Sequence, residues 1–176
     1  MKKSLNKFAL SALFTALTYV LSMVKILHLP FGGSITLFSM LCISLPSYFF
    51  GVKYGLIASF SYSLLKLAIN PYIVHPVQML LDYTFAYTCF GLVGLFRNKR
   101  NGLAIGFIFA CIIRFICSSL SGYVFFSEYT PEGWVPIVYT VVYNASYIFT
   151  ECILSIVLIN IKYVKNMIEK FKRNYG

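Results

Sequence analysis

Two acidic side chains, Asp82 and Glu151, stand inside apolar runs of this chain. A carboxylate at membrane depth costs at least a few kcal/mol unless it is paired, protonated or turned toward a cavity. Gln78 lies four residues before Asp82 and shares its face on a helix, and Tyr83 follows immediately. A carboxylate beside aromatic rings at a pocket mouth suits a ligand that is cationic or carries an amino group. The structural alternative is a salt bridge from Asp82 to Arg114 or Lys66. Asn144, Tyr147 and Glu151 follow at helical intervals and make a polar stripe on one face. That stripe either lines a site or joins helices through hydrogen bonds worth about 0.6 kcal/mol each. For Glu151, deep in its run, the second reading is preferred. Tyr139 is five residues before Asn144, so the two converge only from different angles or if the helix starts irregularly after Pro136. Arg114 and Ser118 share another face, where Arg114 either partners an acidic group or extends its head to the interface. His28 and His75 read as structural loop residues, with His75-Pro76 starting a helix because proline suits its first turn.

The elements that must hold these residues are membrane helices. Of 176 residues, 59% are hydrophobic and 11% charged, and mean hydropathy is +0.78. A chain this apolar cannot cover itself with polar groups, so lipid is its solvent. About 20 mostly apolar residues cross a bilayer, and six spans are expected: 6–27, 35–51, 54–70, 77–96, 103–121 and 137–161, with Pro46 and Asn70 blurring the second and third. The fold class is therefore an all-α membrane protein, one six-helix bundle forming a single domain over 1–176. The Met1-Lys2-Lys3 start precedes a long apolar run without an A-x-A-like cleavage site, so the first helix is expected to be retained. Twelve of the fifteen basic residues fall at the N-terminus, the 51–54 turn, the 97–102 loop and the tail after 161. Alternating helices put all four on one side, so both termini are expected in the cytoplasm. Lys25, Lys66 and Arg114 remain for the other half. The basic tail 162–176, with Ile168 and Phe171, either lies on anionic lipid or is solvated. The outward segments are 28–34, 71–76 and 122–136, and the first and last are rich in glycine, proline and aromatics. Such segments form lids over a pocket or an interfacial aromatic belt.

A net charge of +10 would suggest nucleic acid in a soluble protein, but here it follows topology, and no nucleic-acid partner is expected. The five cysteines form no C-x-x-C pair and read as small buried hydrophobes. There is no G-x-x-x-x-G-K-[ST] loop and no H-E-x-x-H, so no ATPase, metal centre or cofactor is expected. A binding or translocating bundle remains, with any energy supplied from elsewhere. Ala12-x-x-x-Ala16, Gly51-x-x-x-Gly55 and Gly102-x-x-x-Gly106 are patterns that let another helix approach closely.

The run Val74-His75-Pro76-Val77-Gln78-Met79-Leu80-Leu81-Asp82-Tyr83, continuing to Ala86 and Gly91-Leu92-Val93-Gly94, resembles the thiamine-specific substrate-binding (S) components of energy-coupling-factor transporters. So do Pro30-Phe31-Gly32-Gly33-Ser34-Ile35-Thr36, Ser121-Gly122-x-x-Phe125-Phe126, and Tyr139 through Tyr143-Asn144, in chain order. The resemblance implies a multi-pass protein of the bacterial cell membrane that binds thiamine near the outer face under a lid formed after helix one. It implies no enzyme activity in this chain, and partners in a transmembrane coupling subunit and two ATPase subunits. Carried over by position, Asp82 is the pocket carboxylate, Tyr83 its neighbour, Tyr72 a loop aromatic, and Tyr139 and Asn144 the polar pair. Ala12 and Ala16 match the surface that docks on the coupling subunit. The chain departs at Ser118, where the family usually has histidine, and at Phe126, where some members have tryptophan. These departures leave open a different heterocyclic ligand, such as a thiamine precursor. A non-transport membrane assembly protein is the alternative from another class.

Overall fold

The computed structural model describes residues 2–29, 32–69 and 72–176. Helix α1 (Lys2–Met23) turns Leu5, Leu13, Leu17 and Val20 outward and buries Ser11, Thr15, Thr18 and Ser22, spaced at helical intervals. This inverts the pattern of a soluble helix, because lipid accepts apolar side chains while close helix contact favours small ones. Thr15 Oγ1 donates to Ser11 O at 3.0 Å and to Ala58 O at 3.4 Å.

The helix expected to reach residue 27 stops at Met23. Lys25–His28 (β1) instead pairs antiparallel with Ser34–Thr36 (β2), with His28 opposite Ser34. Leu29 N donates to Gly33 O at 2.8 Å where the two strands meet, and the hairpin satisfies backbone groups that leave a helix at the membrane surface. Pro30 and Phe31, part of the expected lid, lie outside the described residues, as does Asn70.

Helix α2 (Ser39–Phe50) corrects the expected second span. Its 12 residues extend about 18 Å, short of a hydrocarbon core of about 30 Å. All of them except Leu45 are buried, so protein rather than lipid surrounds this helix. Among the described residues, five helices are long and apolar enough to cross a membrane: α1, α3 (Val52–Ile69), α4 (Pro76–Phe96), α5 (Gly102–Phe125) and α6 (Pro136–Asn160). Helix α5 continues through 122–125, expected as loop, and the chain then makes a single 3-10 turn, Ser127–Tyr129.

Close packing of α2, α3, α4 and α5 runs through glycine. Ser47 Oγ donates to Gly91 O and accepts from Gly94 N at 2.7 Å. A Cβ at Gly55 would lie 2.2 Å from Ser47 Cβ, and one at Gly106 would lie 2.8 Å from Val93 O. These glycines therefore serve contacts within the chain. Four cysteines are buried, Cys117 is half-buried, and all five are free thiols.

The tail folds as an amphipathic helix, α7 (Lys162–Tyr175), docked on the bundle end. Phe171 packs against Phe49, with ring centroids 4.6 Å apart, and Tyr48 donates to Glu169 Oε1 at 2.7 Å. Lys7 Nζ donates to Gly176 O at 3.2 Å, and Arg97 Nη2 to Phe49 O at 3.0 Å. The N-terminus, the α2–α3 link, the 97–102 loop and α7 thus share one end, as the charge distribution grouped them.

Candidate functional site

At the opposite end lies a cavity of about 510 Å³. Helix α4 brings Asp82 to it. His75 caps this helix through Nδ1, which accepts from Val77 N at 3.1 Å, and Pro76 occupies the first turn. The turns Leu80–Phe85 then widen into a π-helix, a rare geometry found often at functional sites. Gln78 Nε2 donates to Asp82 Oδ2 at 2.8 Å, and Ser121 Oγ of α5 donates to the same oxygen at 2.7 Å. Among the described residues no hydrogen bond reaches Oδ1, while the side chain lines the cavity. The expected alternative, an ion pair with Arg114 or Lys66, does not form. Neither donor is a cation, so the protein supplies no countercharge to this carboxyl group and leaves that role to a guest.

Arg114 is buried, yet it neither partners an acid nor extends to the interface as expected. Its guanidinium lies 4.5 Å from the Tyr87 ring centroid, and Nη2 donates to Tyr87 OH at 3.3 Å. Stacking keeps the cation within the bundle because a tyrosine face is attractive to it at low dielectric. Nε is buried without a partner.

All nine residues expected in the site line this cavity: Tyr72, Gln78, Asp82, Tyr83, Arg114, Ser118, Phe126, Tyr139 and Asn144. They differ in how free they are. The Gln78 amide is committed: Oε1 accepts from Val74 N at 3.3 Å, and Nε2 also donates to Tyr72 O at 3.1 Å. It ties the loop before α4 to Asp82. Tyr83 OH accepts from Tyr72 N at 2.8 Å, and Tyr72 stacks on Phe126 with centroids 5.9 Å apart. Asn144 donates to Thr140 O at 3.0 Å and accepts from Tyr147 OH at 2.7 Å. Those two partners share α6 with it, and its Nδ2 also donates to Ser118 O of α5 at 3.4 Å, which is the helix-joining work set out as its alternative. Tyr139 and Asn144 reach the cavity from different angles, and α6 needs no irregular start for it. Phe125, beside Phe126 in the motif, stacks on His75 outside the cavity lining.

Several lining residues escaped the sequence reading. Tyr19 and Ser22 come from α1 and Tyr87 from α4, while Tyr143 of α6, named only within the resembling run, was given no role. A usable signal existed: Tyr139, Tyr143 and Tyr147 recur every four residues along one face. Lys25, exposed on β1, and Lys66 also line the cavity. All three basic residues assigned to the outer half therefore border one space.

The hairpin closes the cavity rim. Gly33 N donates to Tyr143 OH at 3.1 Å, and a Cβ on Gly33 would stand 2.5 Å from that oxygen. Glu151 lies beneath, outside the lining, and anchors the hairpin. Oε2 accepts from Thr36 N at 2.9 Å and Oε1 from Met40 N at 3.2 Å, and Thr36 Oγ1 donates to both oxygens. This is the structural role preferred for it from sequence.

A model of the thiamine transporter protein family (Thia_YuaJ) matches residues 8–170. The chain is 31% identical over 173 residues to thiamine transporter ThiT of Bacillus subtilis, covering 89% of this chain and 90% of that protein. It is 28% identical over 102 residues to thiamine transporter ThiT of Lacticaseibacillus paracasei, covering 51% of each. The fold superposes on a structure of ThiT from Listeria monocytogenes with a TM-score of 0.74, at 20% identity, over 97% of this chain and 98% of that one. The chain is a multi-pass membrane protein and belongs to the thiamine transporter protein family.

Proposed function

We propose that this chain is the thiamine-binding S component of an energy-coupling-factor importer, a single membrane domain with both termini cytoplasmic. The observation that carries the binding role is the cavity beside Asp82, with one carboxylate oxygen unspent. Thiamine joins a fixed thiazolium cation to a flat aminopyrimidine. Asp82 is the sole carboxylate on the described lining, which also carries Lys25, Lys66 and Arg114. Charge therefore orients a guest, because its cationic or amino-bearing part has one place to go. Tyr72, Tyr83 and Phe126 offer ring faces, and a cation over such a face in a desolvated site gains about 2 kcal/mol. A volume near 510 Å³ falls within the roughly 300–1,000 Å³ of small-ligand sites. Ala12 and Ala16 are exposed on α1, which supports their use as the docking face for a coupling subunit. The ATPase subunits are separate chains.

Trp134 supplies the test. Its ring is 6.1 Å from Tyr139 at the cavity's edge, and it is the chain's only tryptophan. Titrating thiamine into purified protein should quench or enhance its fluorescence saturably, with matching calorimetric heat. Neither response at micromolar ligand would refute the assignment. A second reading, a different heterocyclic amine as cargo, draws on Ser118, which is buried on the lining with a hydroxyl in place of an imidazole. Competition between thiamine and its pyrimidine fragment separates the two readings.

A further inference from the structure

A second cavity, of about 550 Å³, opens at the end of the bundle that carries both termini. The 97–101 loop brings Arg97, Lys99 and Arg100 to it, and α7 brings Lys165 and Lys172. Against these five cations stands one carboxylate, Glu169, which already accepts from Tyr48 OH. Several of the cations are held in place by uncharged partners. Lys165 Nζ donates to Asn101 Oδ1 at 3.0 Å. Lys172 Nζ donates to Arg97 O and lies 4.2 Å from the Tyr48 ring centroid. Arg97 gives Nη2 to Phe49 O, while its Nε is buried with no partner. Burial pushes the Lys172 amine below its ordinary value; Glu169 opposes that and Arg97 adds to it. Positive charge is thus concentrated here, with Glu169 the one carboxylate among the described lining residues.

A smaller cleft of about 40 Å³ adjoins the first and shares Tyr48, Asn101, Lys165 and Glu169 with it. Its remaining lining includes Leu103, Ala104, Ile159 and Ile168, at the facing ends of α5, α6 and α7. A basic recess that continues into an apolar cleft between membrane helices matches a molecule with a phosphate head and a hydrocarbon tail. A free phosphate would use the first part and leave the second empty. We propose that this recess binds an anionic phospholipid, with its phosphate headgroup among Arg97, Lys99, Arg100, Lys165 and Lys172 and the first methylenes of an acyl chain at the cleft beside Leu103 and Ile159. The bound lipid would brace α7 against the 97–101 loop.

Each Lys or Arg near an anionic lipid surface multiplies affinity roughly fivefold. Delipidated protein in neutral detergent should therefore retain dioleoylphosphatidylglycerol in native mass spectra at least about tenfold more tightly than dioleoylphosphatidylcholine, with salt weakening the preference. The double variant Arg97→Gln/Lys172→Gln should bind phosphatidylglycerol roughly thirtyfold more weakly. Because Arg97 braces Phe49, a second pair, Lys99→Gln/Arg100→Gln, removes two exposed charges without touching a buried contact, and a similar loss is expected. Equal retention of the two lipids, or undiminished phosphatidylglycerol binding in the second pair, would overturn the proposal. Displacement of phosphatidylglycerol by millimolar inorganic phosphate would assign the recess to a free anion and would overturn it as well.

Discussion

Asp82 shows how a carboxyl group can sit inside a membrane protein hydrogen-bonded but without a cationic partner. Two neutral donors, Gln78 and Ser121, hold Oδ2, and neither is a cation. Oδ1 is left for the cavity. Removing one member of a buried charged contact costs about 2–5 kcal/mol. Asp82→Asn keeps the shape and one acceptor, so we expect thiamine affinity to fall at least about thirtyfold by calorimetry, with little change in thermal midpoint. Unchanged affinity would move the recognition elsewhere on the lining. Ser118 raises the complementary case. A serine can hydrogen-bond but cannot stack, so Ser118→His should tighten thiamine binding if the ring has room to face the ligand. A variant that binds thiamine no better in the same titration would show that the hydroxyl already suits its guest.

At the scale of elements, the hairpin and α2 work as one unit. Phe38 sits between them with φ of 57°, a left-handed conformation costly for a bulky residue. Glu151 bonds the backbone on both sides of it, at Thr36 and Met40. Strain of this kind persists only where the surroundings over-determine it. The carboxylate also lies at the start of α2, where the helix dipole favours negative charge. Glu151→Gln presents an amide donor to a site built of donors, and a charged hydrogen bond is worth roughly 2–3 kcal/mol. We expect a lower thermal-unfolding midpoint in detergent together with weaker thiamine binding, because the rim would loosen with its anchor. Gly33→Ala isolates the rim itself. Its Cβ must displace the Tyr143 hydroxyl, so affinity should fall while the midpoint barely moves. If both variants change stability alone, the hairpin is scaffold and takes no part in closing the cavity.

Across the whole molecule, the two ends differ in kind. One carries a cavity with a lone carboxylate, the other a rim of basic side chains and α7. Between them α1 presents an apolar outer face that includes Ala12 and Ala16. Small side chains there permit close approach by a partner helix, which bulk would block. The double variant Ala12→Leu/Ala16→Leu should leave thiamine affinity of the isolated chain unchanged and abolish thiamine uptake by cells that depend on this importer. Uptake at the original rate would exclude this face as the docking surface.

The amino-acid order by itself determined the solvent, the end-to-end charge asymmetry and the helices that bear the site. Each follows from composition and local periodicity, which act over a few residues. Asp82, Gln78 and Asn144 stood out for the same reason, since polar groups in apolar runs are costly wherever the chain goes. Only the tertiary structure decided that 35–51 would be a strand and a short buried helix. An apolar run reads alike whether lipid or protein covers it, and coverage depends on neighbours distant in sequence. The partners of Arg114, the anchor at Glu151 and the gathering of Tyr19, Lys25 and Lys66 around one space were decided the same way, by contacts between helices whose rotation and depth no local pattern encodes.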